Sequence, residues 1–237
     1  MISEFSKLLE TSLAAWTTFL LAFSALLPII NPLGSALVFM GLVGTAPPAL
    51  YRSLARRIAI RNVLFLAAVE VLGSAVLNFF GISLPIVEVA GGAVVAGLAW
   101  GVLNQNDAGA MVRQKQEESD DSADPAFHEL GEKIFYPFTF PITSGPGTMV
   151  TMLTLTAHIS RRNLTENLLG HAGIFGAVVV VSVLVYFCYA YAPTLATKVS
   201  RATAHGILRV MAFIMLCIGV QIAWNGLSAL LATVIKT

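Results

Sequence analysis

Two short stretches combine residue types able to hold a small charged solute. Asn31, Pro32, Gly34 and Ser35 fall in NPLGS, and Thr143, Ser144, Gly145, Pro146, Gly147 and Thr148 fall in TSGPGT. None carries a formal charge, so their chemistry is largely that of the backbone. Proline lacks an N–H and clashes with the preceding turn, so a helix meeting Pro32, Pro141 or Pro146 must kink or stop. Gly34, Gly145 and Gly147 permit backbone angles that other residues resist. A helix restarting after such a break begins with amides that have no intrahelical acceptor, at the positive end of its dipole. That end suits an anion such as a carboxylate, with no arginine needed. Asn31 in one stretch and Thr143 or Ser144 in the other are of the types that cap a restarted helix, and Pro32 takes the favoured first helical position. Ser35, Thr143, Ser144 and Thr148 add hydroxyls, and unwound carbonyls would accept from an amino group.

The chain around these stretches is made for a bilayer. Of its 237 residues, 57% are hydrophobic and only 11% charged, with a mean hydropathy of +0.80. A soluble domain carries about 25% charged residues. The composition therefore predicts an all-α integral membrane protein, with the lipid bilayer as its first partner. A span needs about 20 apolar residues. Six such runs are expected, at roughly 13–44, 58–80, 84–104, 135–157, 168–192 and 206–233. Both interrupted stretches lie inside a run, in spans one and four. Irregular backbone at membrane depth is tolerated only against protein or a wet cavity. The opening MISEFSKLLE lacks a basic leader region, so the first span is expected to be retained.

Other classes find little support. The net charge is +1 and no basic run is interleaved with aromatics, so no nucleic-acid partner is expected. Cys188 and Cys217 sit in apolar runs and read as small buried residues. His128, His158, His171 and His205 have no metal-ligand spacing, and neither a metal nor a cofactor is expected. No nucleotide-binding motif occurs.

The organisation suggests a duplication. Residues 1–104 form one three-span half and 135–237 another, joined by a hydrophilic loop, 105–134. An odd number of spans per half makes the two repeats inverted in the membrane. Placing PIINPLGSAL (28–37) under PITSGPGTMV (141–150) matches Pro28 with Pro141, Ile29 with Ile142, Gly34 with Gly147 and Ser35 with Thr148. Paired interrupted segments in corresponding positions of two halves point to a transporter's binding site. The Lys and Arg of the loops after spans one, three and five outnumber those on the other side. The positive-inside rule then puts loop 105–134 in the cytoplasm and both termini outside.

These residues resemble the MarC family of six-span bacterial membrane proteins, also described as SnatA-type neutral amino acid transporters. The resemblance rests on NPLG at 31–34, PITSGPGTM at 141–149, AGG at 90–92 and the hydrophilic loop between the halves. It implies a multi-pass protein of the bacterial inner membrane that moves small neutral amino acids such as alanine or glycine, and not an enzyme. No family pattern matches loop 105–132, and no function is carried onto it.

Further residues are candidates for the path. Glu70 lies in the middle of span two, where an ionisable group is costly and by default faces a cavity or partner. It would bind a coupling H+ or Na+, or serve as a structural carboxyl. Glu88 is expected at the membrane interface. Gln221 and Asn225, four apart, share one face of span six, where they line the path or bond between helices. The small residues Ala93, Gly97 and Gly101, like Gly173 and Ala177, are expected to let helices approach closely. The competing readings are a channel, an intramembrane hydrolase using Ser144 with a histidine, and a non-transporting assembly protein. Whether copies pair into a homo-oligomer is open to the sequence.

Overall fold

The computed structural model describes residues 2–104, 134–159, 164–198 and 201–235. The expected cytoplasmic loop lies, apart from residue 134, outside the described residues. The rest is helical: α1 (Ile2–Ile30), α2 (Pro32–Val43), α3 (Pro48–Phe79), α4 (Leu84–Asn104), a wide-wound segment (Ile134–Thr143), α5 (Pro146–Ile159), α6 (Leu164–Ala190), α7 (Ala192–Lys198) and α8 (Arg201–Ile235).

Five stretches are long and apolar enough to cross a bilayer: 15–43, 48–79, 84–104, 165–190 and 206–235. The expected fourth span, 135–157, is built in two pieces. α5 has 14 residues, about 21 Å at 1.5 Å per residue, short of a hydrocarbon core about 30 Å thick. The wide-wound segment precedes it.

That segment has a local cause in the sequence. Tyr136-Pro137-Phe138-Thr139 and Phe140-Pro141-Ile142-Thr143 repeat the pattern aromatic–Pro–apolar–Thr. Both prolines follow cis peptide bonds. Tyr136 and Phe140 are extended (φ −115°, ψ 126° and φ −122°, ψ 127°), as expected for a residue before proline. Each threonine then closes the widened turn. Thr139 Oγ1 donates to the Ile134 carbonyl and Thr143 Oγ1 to the Phe138 carbonyl, both at 2.7 Å. Two carbonyls inside the interrupted segment thereby gain a partner without water.

The packing relates the two broken spans. α1 packs on α5, while α2 packs on the wide-wound segment. The first piece of each span thus lies beside the second piece of the other. The two interrupted stretches, 2–43 and 134–159, therefore run side by side in opposite directions, with their breaks adjacent. α6 packs along both α1 and α3, and α4 packs along α8.

The α4–α8 contact is made by glycines. A Cβ on Gly219 would lie 2.6 Å from the Ala96 amide nitrogen, and one on Gly92 would strike the Ala223 backbone. The expected stripe of Ala93, Gly97 and Gly101 is displaced by one register. Ala93 is exposed, and a Cβ on Gly97 would meet nothing within 4 Å. The helix turns Gly92 and Ala99 inward instead. Gly173 does pack as expected, 2.6 Å from the Ala15 carbonyl for a built Cβ. The main core joins Leu26, Ile30, Phe39, Leu66, Val178 and Tyr189, from α1, α2, α3 and α6. A smaller cluster of Val95, Ala99 and Met215 lies between α4 and α8. Large apolar side chains such as Trp16, Leu64, Phe79 and Trp224 are exposed, as a lipid-facing surface requires. Cys188 is half-buried and Cys217 exposed, so only the first approaches the expected burial.

Candidate functional site

The first break is made by Asn31. It adopts the left-handed conformation (φ 46°, ψ 69°), which asparagine tolerates better than most residues. Its Oδ1 accepts from the Gly34 amide at 3.1 Å, and Pro32 opens α2. Asn31 is thus the cap its residue type suggests. A Cβ on Gly34 would lie 2.5 Å from the Asn31 Nδ2, so glycine is what lets the cap close. The Ser35 hydroxyl donates back to the Asn31 carbonyl at 2.9 Å.

The second break differs from the expected cap. Neither Thr143 nor Ser144 caps α5. Thr143 donates to Phe138, and Ser144 Oγ donates to Asn62 Oδ1 at 2.6 Å. The Gly145 carbonyl accepts from the Thr148 and Met149 amides instead, at 3.0 and 3.2 Å. The physical reason is the wide-wound segment, whose carbonyls and buried neighbours claim the two hydroxyls first. The amides of Leu33 and Gly147 are the early ones not taken by these caps. The anion-accepting set is therefore narrower than the sequence spacing suggests.

The two breaks are brought together. Tyr189 of α6 stands between them. Its hydroxyl is 2.9 Å from Thr143 Oγ1. Thr143 already donates to Phe138, so Tyr189 donates to Thr143. The Tyr189 ring stacks on Phe39 of α2 at 4.5 Å, and Phe39 meets Phe138 edge-on at 5.3 Å. A Cβ on Gly147 would lie 2.9 Å from Val95 and 3.6 Å from Ile29. Asn31, Ser35, Thr143, Ser144 and Thr148 are all buried. Pro32 and Gly147 are buried as well, Gly145 is half-buried and Pro146 exposed.

A second polar linkage was not anticipated. Asn62 of α3 is fully buried, accepting from Ser144 and donating from Nδ2 to Ser182 of α6 at 3.0 Å. The signal was present: one asparagine inside the apolar run after Arg61, and a lone serine in VVVSVLV. Tyr189 was likewise unremarked.

The other candidates fall outside this centre. Glu70 is buried in α3, two turns beyond Asn62, and its Oε1 lies 3.0 Å from His171 Nδ1 of α6. His171 lies in the third turn of α6, near the start of the expected fifth span. Glu88, expected at the interface, is buried instead, because α4 turns it against Gly226 of α8. Gln221 is exposed on α8 and donates to Asn225 at 2.8 Å. That bond lies within one helix, so this pair is not brought to the breaks. Among the described residues, no three His, Cys, Asp or Glu gather as a metal site.

Comparison with known proteins decides the family. The model of the MarC family of integral membrane proteins matches residues 16–231, both breaks included. The chain belongs to the MarC family. Its relatives there include the UPF0056 membrane protein YvbG of Bacillus subtilis, 27% identical over 88% of this chain and 93% of that protein. The UPF0056 inner membrane protein MarC of Salmonella typhimurium is 25% identical over the same shares. A UPF0056 membrane protein of Methanocaldococcus jannaschii is 26% identical over 88% of this chain and 95% of its own length. No solved structure matches this MarC family chain. It is an integral membrane protein in contact with lipid.

Proposed function

We propose that this MarC family protein is a secondary transporter of small neutral amino acids, alanine- or glycine-like, working by alternating access. It is not an enzyme. Its membrane is the bacterial inner membrane, as the name of the Salmonella relative suggests, with both termini outside. Residues 1–104 and 135–237 act as two inverted three-helix repeats.

The observation that carries this reading is the antiparallel pairing of two broken spans that share contact with one buried tyrosine. Breaking two helices at membrane depth costs backbone hydrogen bonds, and a merely structural bundle has no use for both at one place. The substrate carboxylate is held by the Leu33 and Gly147 amides at the starts of α2 and α5. Ser35, Thr143, Ser144 and Thr148 supply hydroxyls once they exchange their internal partners for substrate. Asn31, Pro32, Gly34, Gly145 and Pro146 keep the backbone open at this point. Glu70 is the coupling residue for H+ or Na+. Gln221 and Asn225 are peripheral to the path.

A channel and a non-transporting assembly protein are the rival readings. A hydrolase built on Ser144 lacks support, since that hydroxyl donates to Asn62 rather than to a histidine. Counterflow in proteoliposomes with labelled alanine and glycine tests the proposal. Saturable uptake driven by unlabelled substrate inside supports a carrier. Uptake that is linear in concentration and indifferent to trans substrate would sink it.

A further inference from the structure

A cavity of about 800 Å³ lies between the second half of α3, the end of α5 and the start of α6. It occupies the end of the bundle opposite the exposed Arg52, Arg56, Arg57 and Arg61 at the start of α3. None of the residues at the two breaks lines it. Glu70 and His171 do, with Thr156 of α5 and Asn167 of α6. Leu153 and Phe175 belong to its apolar wall.

Ser74, Asn78 and Ser83 also line this cavity, yet two of the polar atoms beside it lack partners. Asn167 Oδ1 and Thr156 Oγ1 are buried and have no hydrogen-bond partner among the described residues. Buried polar atoms are rarely left so. The Asn167 carbonyl oxygen can only accept, and the threonine oxygen has two lone pairs to offer. Glu70, buried to 6% exposure, meets His171 through Oε1 and keeps Oε2 for another donor. Three helices thus each present an acceptor to one space. The complementary group has several N–H bonds, no acceptor of its own and a positive charge. A primary ammonium has three such donors. It would also neutralise a carboxylate that is costly at membrane depth. The cavity is far larger than an ammonium and falls within the range of small-molecule pockets, so the group arrives on an apolar body.

We propose that this cavity binds a primary ammonium on an apolar chain. Glu70, Thr156 and Asn167 accept its N–H groups, and Leu153 and Phe175 cover the chain. This site goes beyond the transport reading and shares only Glu70 with it; its occupancy needs no substrate gradient, and Thr156 and Asn167 have no part in that reading. The ammonium belongs to a free amine or to the headgroup of an amine-bearing lipid.

Thermal unfolding of the purified protein in phosphatidylcholine nanodiscs, titrated with hexylammonium, tests the site. Saturable stabilisation by hexylammonium is expected, and much less by hexyltrimethylammonium, which has the charge but no N–H, or by hexanol. Glu70→Gln should weaken binding tenfold or more, and Thr156→Val and Asn167→Leu severalfold each. The last two remove atoms without partners, so both should fold even where Glu70→Gln does not. Equal binding of the quaternary ammonium, or unchanged affinity in both Thr156→Val and Asn167→Leu, would overturn the proposal. Repeating the titration in phosphatidylethanolamine nanodiscs separates the two sources. Weaker apparent binding there identifies the lipid headgroup as occupant, and equal binding a free amine; either supports the site.

Discussion

Ser144 donates its hydroxyl proton to Asn62 Oδ1 at 2.6 Å, between positions 82 residues apart. Asn62 Nδ2 donates onward to Ser182. One side chain therefore ties the second break to α3 and α6, while Tyr189 of α6 bonds to Thr143 at the second break and stacks on Phe39 of α2, just past the first. Side chains of intact helices thus reinforce breaks that their own residues already cap.

Asn62→Leu should accordingly destabilise the protein more than its lost volume suggests. It strands the Ser144 and Ser182 hydroxyls in a dry interior. Interhelical hydrogen bonds inside membranes are worth about 0.6 kcal/mol each on average, and stranded buried groups cost about 1–3 kcal/mol. A loss of about 1–3 kcal/mol is expected in an SDS unfolding titration. Combining it with Ser144→Ala should add little, because both changes remove the same bond. Full additivity would show that Asn62 does not hold the break.

Gly147→Leu should abolish counterflow of alanine while the protein still assembles. Its side chain would press on Val95 and Ile29, beside the amide assigned to the carboxylate. Size-exclusion chromatography checks assembly, and proteoliposome counterflow checks function. Normal counterflow in this variant would place the substrate elsewhere.

Gly92→Leu and Gly97→Leu should part company. At 92 the new side chain runs into the backbone of α8 at Ala223, whereas at 97 it meets open space. The first should give aggregated or poorly expressed protein, and the second a monodisperse peak like the parent. The same outcome for both would contradict the observed register of α4 against α8.

Glu70→Gln should remove the response of transport to an imposed H+ or Na+ gradient, while downhill counterflow persists. The comparison is uptake with and without the gradient, in parent and variant. A gradient response surviving in the variant would make Glu70 structural.

Five of the six expected spans and the two breaks were legible because their signals are local. Apolar length marks a helix, and Pro beside Gly marks its interruption, whatever the chain folds against. Asn31 with Pro32 even specified its own cap. The second cap was misread because Thr143 and Ser144 are contested. Their hydroxyls go to Phe138 and Asn62, one set by proline geometry and the other by a helix far away in sequence. The pairing of Glu70 with His171 was hidden for the same reason, since 101 positions separate them. The glycine stripe of α4 failed on register alone. Several small residues occupy neighbouring faces there, and only the partner helix selects which face is used.

The glycine seam between α4 and α8 carries one more consequence. With backbone set against backbone at Gly92 and Gly219, and only the small cluster of Val95, Ala99 and Met215 beside them, little is left there to repack, so the two helices are expected to move as one strut. If the transport reading holds, the joints expected to move are those where the strut meets α1 and α5, such as Val95 against Gly147. Labels attached within the strut should keep their mutual spacing through a working cycle, while spacings from the strut to α3 or α6 change.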